Sequence, residues 1–192
     1  HQEHILIVGD FDVDGATSTA LVTHALKAMG AKQVNYLVPN RFDFGYGLSP
    51  EIVDVANQSS PDLIVTVDNG ISSIAGVARA RELGIDVLIT DHHLPGDVLP
   101  DDCIIINPSL PGDQFPSKAL AGVGVIFYVM LGIGVCLFVT VVWGFFRLTA
   151  KSSTPPKLHF VMWWRSFEYL LHFHPHGRRT EISVLLRRRR WR

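Results

Sequence analysis

Short apolar runs alternate with stretches of helical periodicity over the first 131 residues. The short runs predict strands at residues 4–9, 34–38, 62–67, 86–90 and 103–107. The periodic stretches predict helices at residues 15–30, 49–58, 72–84 and 117–131. Continuously apolar strands that alternate with helices are typical of a mostly parallel sheet with helices on both faces. The expected fold class is therefore α/β.

The chain changes character after about residue 131. Residues 1–146 carry 6 basic and 16 acidic residues, whereas residues 147–192 carry 11 basic and 2 acidic residues. Between Lys118 and Arg147 lie 28 uncharged residues, more than the roughly 20 that cross a bilayer. The first half of this stretch also suits a core helix, so a membrane span is the less favoured interpretation. We expect a domain over residues 1–131, followed by an apolar and then basic tail over residues 132–192.

Two features of the sequence indicate its setting. Two cysteines are too few for a disulfide framework and no signal-peptide pattern is present, which favours a reducing, cytoplasmic location. The chain starts with His1 rather than Met, close to a predicted strand, and we therefore expect it to be a piece of a longer protein.

Three carboxylates stand at alternate positions just after the first predicted strand, in the segment G-D-F-D-V-D-G. They belong to Asp10, Asp12 and Asp14. In extended geometry such positions share one side, where the carboxylates can converge on divalent cations. A calcium loop of the EF-hand kind begins similarly, but it follows a helix and needs a Glu where this sequence has Leu21. A solvated acidic turn is the remaining alternative.

Two more predicted strands end in acidic residues. Asp68 follows the strand at 62–67, and Asp91 follows the strand at 86–90 together with His92 and His93. Because the carboxyl ends of parallel strands meet at one edge, the gathered carboxylates repel one another unless cations neutralise them. Carboxylates with imidazoles suit Mn²⁺ or Mg²⁺. The sequence predicts a metal centre, and a surface His-His pair is the alternative for the third segment.

These segments, D-F-D-V-D-G, V-D-N-G and D-H-H in that order, resemble motifs I to III of the DHH phosphoesterase superfamily. The stretches P-N-R-F-D-F-G-Y-G-L-S at 39–49, I-N-P at 106–108 and L-A-G-V-G-V-I-F-Y-V-M-L at 120–131 are similar to its RecJ type of single-stranded-DNA exonuclease. The likeness runs from about residue 4 to residue 131, two thirds of the chain. Pyrophosphatase-like members have a His where this chain has Val8, which argues against that branch.

The resemblance implies a two-ion Mn²⁺ or Mg²⁺ site that hydrolyses phosphodiester bonds. The implied metal ligands are Asp12, Asp14, Asp68 and His92. Asp68 is expected to bridge the two ions. The implied catalytic site also includes Asp10, Asp91 and His93. Two such cations lower the pKa of a bridging water and neutralise charge on the phosphate, so no protein nucleophile is required.

The loop at residues 39–49 contains residues suited to binding DNA next to such a site. Arg41 offers a planar fork for a phosphate, Tyr46 an aromatic surface for a base, and Gly47 a close backbone approach. The alternative for these three residues is a purely structural loop. His93 is also expected on this side, near the scissile phosphate.

The likeness ends near Leu131. The family pattern places a further metal-ligand Asp in a fourth motif downstream, but the sequence has no Asp after Asp113. RecJ-type enzymes also have a DHHA1-type domain and an oligonucleotide-binding fold, for which 192 residues leave no room. A reading frame shifted after about residue 131 accounts for the basic, Trp-rich tail. A fusion to a membrane-binding or nucleic-acid-binding tail is the rival explanation.

We therefore expect part of the catalytic core of a 5′-to-3′ single-stranded-DNA exonuclease of DNA repair and recombination. Its expected partners are single-stranded DNA and a single-stranded-DNA-binding protein. The alternatives are a catalytically inactive truncated product, a DHH phosphodiesterase acting on short oligonucleotides or cyclic dinucleotides, and a membrane-anchored protein.

Overall fold

The computed structural model describes residues 3–40 and 44–149. The strands in this part of the chain are β1 (His4–Gly9), β2 (Gln33–Leu37), β3 (Leu63–Val67), β4 (Asp86–Thr90) and β5 (Ile104–Ile106). The helices are α1 (Val13–Ala28), α2 (Pro50–Asn57), α3 (Ile74–Glu82) and α4 (Gly122–Thr149). The α/β class is confirmed, and α4 alone departs from its predicted range by many residues.

All neighbouring strands pair in parallel, in the order β2-β1-β3-β4-β5. The direction in which strands are added reverses between β1 and β3. In open α/β sheets, ligands bind at such a reversal, outside the carboxyl ends of the strands. Asp10 follows β1 and Asp68 follows β3, so the topology places both at the reversal.

Helices cover both faces of the sheet. On one face, Val8 of β1 belongs to the same buried cluster as Ile52 of α2 and residues of α3. On the other face, Ile7 of β1 packs in a cluster with Val22 of α1 and Ile126 of α4. Successive strand residues therefore enter different halves of the core, which explains why the strands are continuously apolar.

The bounds of α2 and α3 follow from local chemistry. Ser49 begins α2 as its cap, with Oγ accepting from the amide of Ile52 at 3.4 Å, and Pro50 occupies the first turn, as the sequence predicts. Gly84 follows α3 with φ of 75°, a left-handed conformation that glycine adopts at low cost.

The helix α4 extends well beyond the predicted residues 117–131. It begins at Gly122 and continues to Thr149, because no proline interrupts residues 119–146. Among the described residues it is the one helix long and apolar enough to cross a membrane, over Gly122–Gly144, with a mean hydropathy of 2.7. Such length and composition are weak evidence for a span, since the core helix of a soluble protein has them too.

Candidate metal centre

Asp68 lies at the centre of the site. Its backbone is left-handed, with φ of 64°, a conformation that Asp tolerates better than most residues. Its side chain is only 1% exposed, and Oδ1 lies 3.0 Å from Nε2 of His92. This is ion-pair distance, yet Oδ1 accepts no hydrogen bond from any residue that the structure describes. A buried carboxylate oxygen without a donor is a group that a cation stabilises.

The electrostatics of Asp68 lead to the same conclusion. Burial, with the negative charges of Asp14 and Asp12 as the next causes, raises the pKa of Asp68 from 3.8 to about 7. A divalent cation would offset this effect because it favours the charged carboxylate. The residues present at this edge therefore fit a hard divalent cation.

Two groups of potential ligands overlap at Asp68. One group contains Asp10, Asp12 and Asp68, and the other contains Asp68, His92 and His93. Within each group, one ligand atom per residue lies within 4.8 Å of the others. Asp68 is the one residue common to these two groups. Oxygen ligands together with imidazoles suit Mn²⁺.

A tight turn positions the first two carboxylates after β1. Asp12 caps α1, with Oδ1 accepting from the amide of Gly15 at 2.9 Å. The amide of Phe11 donates to Oδ1 of Asp10 at 2.8 Å. A Cβ atom at Gly15 would overlap the backbone of Asp10, so the turn requires glycine there.

Asp14 stands in the first turn of α1 and belongs to neither ligand group. Its Oδ2 accepts from the amide of Gly122 and its Oδ1 from the amide of Val123, each at 2.7 Å. Oδ2 also lies 3.6 Å from Nε2 of His92. Carboxylate oxygens have about four acceptor positions in total. The predicted ligation of a metal by Asp14 is compatible with these contacts and stays a prediction.

Asp91 is fully buried and binds the backbone of both histidines and the ring of His93. Its Oδ1 accepts from the amides of His92 at 2.7 Å and His93 at 3.1 Å, and it lies 2.7 Å from Nδ1 of His93. Its Oδ2 accepts from the amide of Ile71 at 2.9 Å. Donation from Nδ1 of His93 to Asp91 leaves Nε2 as the acceptor of the ring, an arrangement common in metal-binding histidines.

The charge state of His93 reflects these neighbours. Burial alone would lower the pKa of His93. The hydrogen bond to Asp91 and the negative charges of Asp91, Asp68 and Asp10 outweigh burial, so the pKa of His93 is raised. A metal ion that binds this imidazole has to compete with a proton.

Tyr46 brings the loop before α2 to the site. Its Oη donates to the backbone carbonyl of Asp68 at 3.4 Å and lies 3.2 Å from Nδ1 of His93. The two rings meet edge to face, with centroids 5.8 Å apart. Tyr46 is 47% exposed, so an aromatic surface lies beside the histidines. Its predicted stacking on a base stays a prediction.

Gly47 has a structural explanation. Its φ is 79°, and a Cβ atom there would be 2.9 Å from Oγ of Ser73. The same Oγ accepts from the amide of Leu48 at 2.9 Å, so the turn and α3 approach closely. The predicted DNA contact of Gly47 is not tested by this geometry. Arg41 lies outside the described residues, and its role as a phosphate fork also stays a prediction.

Several supporting residues were not among the predicted site residues. Asn69 is buried, and its Nδ2 donates to the carbonyls of Val8 at 3.1 Å and Val67 at 2.9 Å, which joins the ends of β1 and β3. Asn107 and Ser109 donate to the backbone carbonyls of the two histidines, at 2.9 Å and 3.0 Å. Asn69 lies within V-D-N-G, Asn107 within I-N-P and Ser109 directly after it, and these positions could have indicated a role. Only the strand order shows what the three residues contact.

Comparison with known sequences identifies the family of the chain. The family model described as "DHH family, N-terminal domain" matches residues 4–140. The chain is similar to the single-stranded-DNA-specific exonuclease RecJ of Salmonella typhimurium and of Escherichia coli, with 64% identity to each over 129 residues. The RecJ of Bacillus subtilis is 47% identical over 126 residues, 66% of this chain and 16% of that protein. The first two alignments cover 67% of this chain but only 22% of the relative, so the chain spans less than a quarter of their length.

Two solved structures have a similar fold. One is an exonuclease RecJ bound to manganese, with a TM-score of 0.60 and 36% identity, matching 67% of this chain and 32% of that one. The other is RecJ of Thermus thermophilus in complex with Mn²⁺, with a TM-score of 0.56 and 33% identity, matching 67% of this chain and 18% of that one. With the family match covering well over half of its residues, the chain belongs to the DHH family.

Proposed function

We propose that this domain is the metal-binding part of an exonuclease that hydrolyses the phosphodiester bonds of single-stranded DNA with two Mn²⁺ or Mg²⁺ ions. The overlap of two ligand groups at the buried carboxylate of Asp68 is the observation that carries the proposal. The similarity to RecJ exonucleases supports the substrate class. A 5′-to-3′ polarity, a part in DNA repair and recombination and contact with a single-stranded-DNA-binding protein belong to the same proposal and rest on that similarity. A cytoplasmic location also belongs to it and rests on the low cysteine count.

Some residues of the site would bind the metal ions, and others hold these ligands in place. One ion would be held by Asp10, Asp12 and Asp68, and the other by Asp68, His92 and His93. Asp14 would be a further ligand, as the family resemblance implies. When bound, such ions generate a nucleophilic water and neutralise charge on the phosphate. Asp91 orients the imidazole of His93 through its contact with Nδ1, and it also accepts from the backbone amides of both histidines. Tyr46 offers an exposed ring beside His93 for a base next to the scissile phosphate.

The fourth motif sets an expectation for activity. The sequence has no Asp after Asp113, so this chain lacks the further ligand that the family resemblance implies. Loss of one ligand in a two-metal centre weakens both water activation and substrate positioning. We expect this polypeptide to bind Mn²⁺ more weakly than an intact family member and to show little nuclease turnover.

Calorimetric titration with Mn²⁺ tests the metal centre. Asp68→Asn removes the charge but keeps the size of the side chain. Asn also tolerates the left-handed backbone at this position. Asp86→Asn is the matched control, because Asp86 begins β4 at the opposite end of the sheet. We expect Asp68→Asn to weaken Mn²⁺ binding by roughly tenfold or more and Asp86→Asn to leave it unchanged. Equal affinities of the unaltered chain and Asp68→Asn would refute the bridging role.

A nuclease assay tests the substrate class. The full chain is incubated with Mn²⁺ and 5′-phosphorylated single strands, duplexes, short oligonucleotides or cyclic dinucleotides. Low turnover that is confined to single strands and lost in Asp68→Asn supports the proposal. Hydrolysis confined to dinucleotides would support the phosphodiesterase alternative. Robust release of mononucleotides would contradict the low turnover that we expect from the missing Asp.

A further inference from the structure

The first residue of α4 lies against the metal centre. Gly122 is buried, and a Cβ atom added to it would overlap Oδ1 of Asp68. Cβ and Cγ of Asp68 would each be 2.8 Å from the added atom, closer than real Cβ atoms approach other atoms. Any side chain at position 122 must therefore displace either the carboxylate shared by both ligand groups or the start of the helix.

The amides of the same helical turn bind a second carboxylate. Gly122 and Val123 donate to Oδ2 and Oδ1 of Asp14, each at 2.7 Å. The first amides of a helix have no acceptor within the helix, and the partial positive charge of this end favours an anion. Both oxygens of Asp14 are thus held by a segment 108 to 109 residues away along the chain.

Packing fixes the helix that supplies these amides. Val125 is 3% exposed and Ile126 is fully buried, so the second turn of α4 is anchored in the core next to the sheet. The first turn cannot move freely while these side chains stay buried. The position of α4 therefore determines where its first turn contacts Asp14 and Asp68.

We propose that the first turn of α4 positions the ligands of the metal centre. The amides of Gly122 and Val123 hold the Asp14 carboxylate in one orientation, and the missing side chain of Gly122 leaves Asp68 the space to face a cation. This inference rests on the proposed metal-dependent function. Gly122 and Val123 are positioning residues, since they act through the two carboxylates. The buried Oδ1 of Asp68 adjoins Gly122 and accepts no hydrogen bond among the described residues, and this is the independent observation that a cation belongs here.

The first test compares two glycine substitutions in α4 of the full chain. Gly122→Ala introduces a methyl group against Asp68, whereas Gly132→Ala introduces one into open space. Mn²⁺ affinity is measured by calorimetry, and folding of the metal-free chain by circular dichroism and its thermal midpoint. We expect Gly122→Ala to weaken Mn²⁺ binding about tenfold, in the range for residues that orient metal ligands, and Gly132→Ala to leave it unchanged.

A second pair of variants tests the amide hydrogen of Val123. Val123→Pro deletes the donor to Oδ1 of Asp14 at a position in the first turn, where proline is tolerated, while Val123→Ala keeps that donor. We expect weaker Mn²⁺ binding in Val123→Pro alone. Hydrogen exchange in the unaltered metal-free chain adds a measurement that needs no substitution, because both amides should be protected, and this protection should be lost in Asp14→Ala.

The outcomes separate this inference from the proposed function. Normal Mn²⁺ affinity in folded Gly122→Ala and Val123→Pro, with loss in Asp68→Asn, would overturn the positioning role alone. If Gly122→Ala does not fold, the comparison of Val123→Pro with Val123→Ala decides. Amides of Gly122 and Val123 that exchange without protection would overturn it as well. Failure of the unaltered chain to bind Mn²⁺ would overturn the proposed function, and this inference with it.

Discussion

The two halves of α4 have similar composition and very different surroundings. In the first half, Val125, Ile126 and Met130 are at most 6% exposed, and the first turn binds Asp14. In the second half, Phe138 is 68% exposed and Val141 is 70% exposed. The helix is continuous across both halves, but among the side chains that the structure describes, only those of the first half are buried.

The difference shows that apolarity alone does not define a domain. Residues 119–146 contain no proline, so nothing forces the helix to end within them. Membership of the core needs a partner surface, and the exposed second half has contiguous apolar side chains of the kind that mark an interface or an aggregation hazard. The predicted end of the domain near Leu131 stays a prediction, while the exposure of Leu131 and of the residues that follow it is in line with it.

Truncating one apolar side chain in each half of α4 should give the largest difference in the free energy of unfolding. Ile126→Ala opens a cavity between α4, α1 and the sheet and should lower the free energy of unfolding by about 2–5 kcal/mol. Ile133→Ala acts at a residue that is 39% exposed, and we expect a change of at most about 0.5 kcal/mol. Urea unfolding of the metal-free chains, followed by circular dichroism, measures both. Similar losses in the two variants would show that the second half is also packed.

The contacts of the first half of α4 should also make stability depend on pH, since only this half adjoins Asp68. The pKa of Asp68 is raised to about 7 in the folded chain, above the ordinary 3.8, so the folded chain keeps a proton that the unfolded chain has released. The contribution of Asp68 to stability is therefore greatest below about pH 4 and is lost as the pH rises through about 7. The stability of the unaltered metal-free chain relative to Asp68→Asn should fall across this window.

The same proton competes with a metal ion. Below about pH 7, Mn²⁺ affinity should fall by roughly tenfold per pH unit if one proton is released per ion bound. Calorimetry at several pH values, in buffers of different ionisation enthalpy, measures both the affinity and the protons released. Affinity that is independent of pH between about 5 and 8 would contradict the raised pKa of Asp68 as the controlling ionisation.

Much of the sheet could be predicted because its strands are buried on both faces and carry their acidic residues at the carboxyl ends. The bounds of β1 and β4 match the prediction, and the parallel order brings Asp10 and Asp68 together. Periodicity could not predict that Asp14 would bind the start of α4, because that contact depends on how a distant helix packs. It also could not predict the length of α4, since an apolar run contains no information about where its partner surface ends.

A chain ending at Leu131 should show the smallest effect on stability and tests the boundary directly. This deletion removes Ile133, Phe138 and Val141, all exposed, and keeps the buried side chains of the first half of α4. We expect its free energy of unfolding to change by about 1 kcal/mol or less, because substitutions of exposed residues away from special features have small effects. We also expect equal or higher solubility, since exposed apolar segments promote aggregation. A chain ending at Val125, which lacks Ile126 and Met130 as well, is the control and should not fold stably. If the chain ending at Leu131 unfolds like that control, the second half of α4 is a structural element of the domain, and a fusion would then explain the tail better than a shifted reading frame.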